Sequence, residues 1–199
     1  IIMLLALVFR GVAFEFRWKT RRGQFLWDWA FAFGSTVAAF AQGVALGALV
    51  QGIKVDGRAY AGGWWDWLTP FSLFCGLGLC VAYALLGATW LVMKSENPLQ
   101  DKMRRVAKKL LLAMLIVIAI ISLWTPLAHS AIAERWFSLP NLWFLMPVPL
   151  LVALISIWLW RSLGQHNCHT LPFVLTLGLI FLGFSGLRIS LWPHIIPPS

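Results

Sequence analysis

The chain has 199 residues, 60% of them apolar and only 12% charged, with a net charge of +9. That is about half the charged share of a soluble domain, and thirteen tryptophans with fourteen phenylalanines add apolar surface that a water-soluble fold could not hide. A soluble globular class is excluded, and the mean hydropathy of +0.81 points to an integral membrane protein.

Six apolar segments follow in chain order. Ile1 to Phe9 reads as the tail of a helix. Trp29 to Val50 is a full span. Leu68 to Met93 is another, with Pro70 near its start, where proline is tolerated. Leu110 to Ala128 is uniformly apolar. Leu142 to Trp160 carries Pro147 and Pro149, which predict a kink or a late start. Leu171 to Leu187 has Pro172 in its first turn. None shows the period-2 alternation of barrel strands, and helices satisfy their own backbone in lipid. The expected fold is all-α, a polytopic transmembrane helical bundle with about five complete spans plus the tail of one more. Residues 1–199 are expected to form a single integral membrane domain.

The connections carry the charge. Residues 10–28 hold Arg10, Arg17, Lys19, Arg21 and Arg22, and residues 94–109 hold Lys94, Lys102, Arg104, Arg105, Lys108 and Lys109. The connection after each is light: Lys54 and Arg58 beside Asp56 and Asp66 after the first, and Arg135 alone after the second. This alternation is the positive-inside pattern. It places the basic connections in the cytoplasm, and the WWDW and ERWF stretches on the other side. In a soluble protein +9 would suggest nucleic acid. Here the charges fix topology, and no nucleic-acid partner is expected.

Small residues repeat every four positions: Ser35, Ala39, Gly43 and Gly47 in the second segment, Gly76, Cys80, Ala84 and Ala88 in the third. Such spacing lines one helical face and lets another helix come close. The segment LLLAMLIVIAIISLW has no such face and is expected to meet lipid.

Polar groups within spans are few: Ser35, Thr36, Gln42, Ser72, Tyr83, Thr89, Ser122, Ser156 and Thr176. No ionisable acid, lysine or histidine lies deep in a complete span, which argues against a transporter or pump with a charged midplane site. Gln42 reads as an interhelical hydrogen-bonding group. His129 and His194 fall at one edge, and His166 and His169 flank Cys168 in a short connection. Three ligand-type residues within HNCH fall short of a closed zinc site, and no histidine is held in a packed span as a haem ligand. Cys75 and Cys80 read as packing residues. No metal site and no catalytic centre is expected.

The opening LVFRGVAFEFR, with WDWAFAFGSTVAAFAQGVALGALVQG and LTPFSLFCGLGLCVAYALLGATWLVMKSE, resembles subunit II of the cytochrome bd-type quinol oxidases, a group that includes the cyanide-insensitive branch. The resemblance is strong at residues 7–52 and 68–96. It implies helices three to eight of a nine-helix subunit, so the sequence is expected to be a fragment lacking the first two helices and the last. It further implies a heterodimer with a larger subunit I. That partner would carry haem b and haem d, bind quinol and reduce dioxygen to water, forming a proton gradient. This chain would hold no haem, and in the family the subunit contributes to a proton path or a bound quinone. The expected place is the bacterial inner membrane, among membrane lipids. Two other classes compete: a transporter or channel subunit, and a purely structural membrane scaffold.

Candidates follow from the resemblance for Arg10, and from residue chemistry for the rest. Arg10 corresponds to a recurring helix-end arginine, a candidate for pairing across the subunit interface or tuning a redox centre. Glu15 could neutralise Arg10 or Arg17, and Gln42 joins these interface candidates. Asp28 is a candidate for proton entry or for capping the helix after it. Arg17, Lys19, Arg21 and Arg22 read as topology anchors, and Trp27 and Trp29 as interfacial belt residues.

Overall fold

The computed structural model describes residues 1–20, 23–52, 55–56, 59–60, 62–63, 65–96, 98–128, 147–165 and 168–191. Among them the chain forms helices α1 (Ile2–Lys19), α2 (Gln24–Gln51), α3 (Pro70–Lys94), α4 (Leu99–Ala128), α5 (Pro147–Ser162) and α6 (Leu171–Leu191). The only strands described are β1 (Val55–Asp56) and β2 (Ala59–Tyr60), a two-residue antiparallel pairing in the connection after α2. The helices α2, α3 and α4 are long and apolar enough to cross a membrane, whereas α5 and the apolar part of α6, Leu171–Gly186, are shorter. The chain divides into two compact units, Ile1–Cys80 and Val81–Pro198.

In the first unit α1 and α2 form an antiparallel pair. Gly23 begins α2 at φ +92°, a left-handed conformation that glycine adopts without strain, and so permits a short turn between the helices. Ala6 and Ala13 are buried on one face of α1, two turns apart. The entry to α3 is locked by a reciprocal capping box. Ser72 N–H donates to Thr69 Oγ1 at 3.1 Å, and Thr69 N–H donates to Ser72 Oγ at 3.0 Å. Pro70 occupies the first helical position, where its missing N–H costs nothing. The Thr69 hydroxyl donates to the Gln51 side chain, tying the end of α2 to the start of α3.

In the second unit α4 carries a buried stripe of Gln100, Arg104, Ala107, Leu111 and Met114, at helical spacing. Gln100 Nε2 donates to the Val92 carbonyl near the end of α3 at 2.8 Å. Leu159 and Leu163 at the end of α5, and Leu175 and Leu179 of α6, complete this core.

Two expected connections turn out to be helix. Residues 10–28 are the last turns of α1, a short link and the first turns of α2. Burial of Ala13 against its neighbour, with the charged side chains kept on the outer face, lets the helix continue through a polar stretch. Residues 99–109 are the opening turns of α4, because Gln, Met, Arg, Ala and Lys are good helix formers and their face toward α5 is buried. In the fifth segment the described helix is Pro147–Ser162, and residues 142–146, where the kink or late start is expected, lie outside the described residues.

Candidate functional site

Three of the sequence candidates, Arg10, Glu15 and Asp28, lie on the α1–α2 hairpin. Arg17 forms a forked ion pair with Asp28, through Nε to Oδ1 and through Nη2 to Oδ2 at 3.5 Å. The hydrogen bond and then the charge of Asp28 push the Arg17 pKa further above its ordinary value. Phe16 stacks on Trp27 beside this pair, ring centroids 5.5 Å apart. Lys19 Nζ donates to Glu15 at 3.0 Å, one helical turn away. In the structure Glu15 thus meets Lys19, where the expectation named Arg10 or Arg17. Asp28 does not cap its helix either. α2 already starts at Gln24, which leaves Asp28 in the second turn, where its carboxylate is spent on Arg17.

Arg10 does not end a helix, since α1 continues from it to Lys19. Its guanidinium lies 5.2 Å from the centroid of the Phe31 ring, a cation–π contact. It sits about 10 Å along α1 from Arg17, at 1.5 Å per residue. Among the described residues it makes no ion pair. Gly34 of α2 admits α1 at this level: a Cβ there would lie 3.0 Å from the Ala6 carbonyl and 3.4 Å from Arg10 Cβ.

The small-residue positions are placed unevenly. A Cβ on Gly43 would come within 2.7 Å of both the Cys75 carbonyl and Gly76 Cα, and one on Gly47 within 2.6 Å of Ser72 Cα. A Cβ on Gly76 would meet the Phe40 ring at 2.8 Å. Here α2 and the start of α3 touch backbone to backbone. Cys80 Sγ approaches the Thr36 carbonyl at 3.7 Å. Ser35 and Ala39 are half-buried, Ala88 is buried, and Ala84 is exposed. Gln42 is exposed beside the Gly43 contact.

Most hydroxyls within spans are spent on their own helices. Ser35, Thr36, Thr89, Thr125, Ser156 and Thr176 each donate to the carbonyl four residues earlier, at 2.6–3.0 Å. This satisfies them without forming a shared polar site.

One of the basic residues of the 94–109 connection is structural. Arg104 is 5% exposed. Its Nη1 donates to the carbonyls of Gln165 at 2.7 Å and Ser162 at 3.5 Å, and its Nη2 to that of Cys168 at 3.0 Å. One side chain thus caps the end of α5 and the turn into α6, where the helix dipole favours a cation. Lys108, one turn on, lies 5.7 Å from the centroid of the Trp160 ring.

Beside Gln100 an open cleft of about 440 Å³ is lined by Met93, Lys94, Ser95, Glu96, Gln100 and His169. Among the described residues no group of three or more His, Cys, Asp or Glu side chains could hold a metal ion. His169 stands in this open polar cleft, not in a packed span, and does not fit an axial ligand to a buried haem. The positions His129, His166, His194, Arg21, Arg22 and Arg135 lie outside the described residues.

The family described as cytochrome bd terminal oxidase subunit II matches residues 1–199. The cytochrome bd-I ubiquinol oxidase subunit 2 of Escherichia coli K12 is 34% identical over 131 residues, covering 62% of this chain and 35% of that protein. The probable cytochrome oxidase subunit 2 of Haemophilus influenzae is 32% identical over 131 residues, with the same coverage. The cytochrome bd ubiquinol oxidase subunit 2 of Bacillus subtilis 168 is 25% identical over 205 aligned positions, covering the whole of this chain and 58% of that protein.

Proposed function

The chain belongs to the cytochrome bd terminal oxidase subunit II family, and from that premise we propose that it is the non-haem subunit of a quinol oxidase in the bacterial cytoplasmic membrane. The observation that carries this reading is the family match over residues 1–199. In it, α2 to α6 make five crossings, with the basic ends of α1 and α4 in the cytoplasm. A larger subunit I pairs with this chain as a heterodimer, holds haem b and haem d, and takes electrons from quinol. Together they reduce dioxygen to water and build a proton gradient.

This chain's own contribution is support and charge. The close contact of Gly43 and Gly47 with α3 gives a rigid scaffold. Arg10 lies on an exposed helix face, while Asp28 pairs with Arg17 and Glu15 with Lys19. A charge so placed near hydrocarbon is costly unless it reaches a counter-charge. Its proposed partner is a carboxylate of subunit I, close enough to influence a redox centre there. Asp28, exposed in its ion pair, is the proposed point of proton entry.

The test is purification through a tag on this chain, followed by an optical spectrum and quinol-driven oxygen uptake. Haem d absorption belonging to a second polypeptide, together with oxygen uptake, is the expected result. Arg10→Gln should lower uptake about tenfold, an effect of roughly 1.4 kcal/mol, at unchanged haem content. Solute flux in vesicles without any haem partner would overturn the assignment. Unchanged uptake in Arg10→Gln would overturn the role of Arg10 alone.

A further inference from the structure

The structure separates the basic residues of α4 into two groups with different work. Arg104 is buried and spent on backbone carbonyls, and Lys108 is half-buried beside Trp160. Lys102, Arg105 and Lys109 are exposed, and among the described residues none of them forms an ion pair. Their spacing of three and four residues puts them on one face. Leu112, Ile116, Ile120 and Leu123 continue the same face, exposed at 54%, 52%, 38% and 68%. At 3.6 residues per turn these seven positions fall within an arc of about 80°. The arc lies opposite the buried stripe of Gln100, Arg104, Ala107, Leu111 and Met114.

The dimensions of this face suit one kind of occupant. Leu112 to Leu123 is about 16 Å at 1.5 Å per residue, close to half of a hydrocarbon core of ~30 Å. The three cations occupy the two turns before it, at headgroup depth. The only carboxylate of α4 is Asp101, which is half-buried with one carboxylate oxygen out of solvent. A polar end with excess positive charge leads directly into an aliphatic track one leaflet deep. We propose that this face of α4 is a binding site for an anionic phospholipid. Its phosphate sits among Lys102, Arg105 and Lys109, and its acyl chains lie along Leu112, Ile116, Ile120 and Leu123. The attraction between juxtamembrane basic residues and anionic lipid supplies the selectivity, and the exposed aliphatic row supplies the fit. The proposal requires only that α4 cross the membrane, and it stands whether or not the chain serves an oxidase.

The experiment compares the wild-type protein, with the subunits it holds in its own membrane, against Lys102→Gln/Arg105→Gln/Lys109→Gln. Each is reconstituted in nanodiscs of mixed phosphatidylglycerol and phosphatidylcholine. Native mass spectrometry then counts the lipids that survive release. Wild type is expected to retain phosphatidylglycerol above its bulk fraction, falling about fivefold for each cation removed. Lys102→Arg/Lys109→Arg should retain it. A photoactivatable phosphatidylglycerol bound to wild type should label the stretch 99–123, a readout that does not depend on any variant folding. No enrichment in wild type, labelling confined to other segments, or equal retention in the triple glutamine variant overturns the proposal. Crosslinks from Arg105 to another polypeptide instead of lipid also overturn it, because they give this face to a protein partner.

Discussion

Gly43→Leu is expected to leave no folded chain in the membrane. A Cβ at Gly43 would already lie 2.7 Å from the Cys75 carbonyl and from Gly76 Cα. Both are backbone atoms of a facing helix, so no rotamer change relieves the contact. Overpacking of this kind costs about 1–3 kcal/mol for added methylenes in a core that can yield. Here α2 and α3 would have to separate, and the neighbouring contacts at Gly47 and Gly76 would open with them. Gly43→Ala should therefore lower the yield already, and the leucine should abolish it. Two controls isolate the cause. Ala45 is exposed on the same helix, so Ala45→Leu should accumulate normally. Gly87 has nothing within 4 Å of a Cβ, so Gly87→Ala should be tolerated or mildly stabilising. Detergent-extracted yield and Tm are the measurements. Normal yield and Tm for Gly43→Leu would show that the two helices do not meet at this glycine.

The second large effect is expected at Arg104. Arg104→Met removes a donor set that reaches three carbonyls, those of Ser162, Gln165 and Cys168, from a side chain only 5% exposed. A buried acceptor deprived of its donor costs about 1–3 kcal/mol. The turn after α5 can recover some hydration, so a net loss of about 2–4 kcal/mol is expected, or about 5–15 °C in Tm. Arg104→Lys should recover part of this, because a single ammonium cannot span the same fork of acceptors. Arg105→Met is the matched control: its side chain is exposed, and stability in a zwitterionic detergent should hardly change. Limited proteolysis between residues 162 and 168 reports the same event locally, with faster cleavage expected for Arg104→Met only.

The difference between Arg104 and Arg105 shows how far the sequence could be read. Hydropathy located the apolar helices, because runs such as Leu110–Ala128 have no alternative in lipid. It could not find the ends. α1 continues through Arg10, Glu15 and Arg17, and α4 begins with Gln100, Arg104 and Lys108, because packing on one face outweighs polarity on the other. A Cβ on Gly43, Gly47 or Gly76 would meet a facing helix, yet Ala84, in the same four-residue series as Gly76, is exposed. A periodic pattern names a face without saying what opposes it. At the charged ends, residue types alone left the pairings open. Only the hairpin geometry decides that Asp28 meets Arg17 and Glu15 meets Lys19. For Arg104 there was a usable signal. It falls in register with Ala107, Leu111 and Met114, and extending that stripe backward would have marked it as the inward-facing member of the basic cluster.

The acceptors of the Arg104 guanidinium lie 58 to 64 residues further along the chain. A ribosome delivers α4 to the membrane well before those carbonyls exist. During that interval the cation must stay in water or among lipid phosphates, which holds the start of α4 at the surface while the apolar remainder enters. Only when the turn after α5 emerges does the side chain leave water and close the end of that helix. Folding of this unit thus includes a latch, and the latch cannot fully engage until the chain has been translated through Cys168, 64 residues past Arg104.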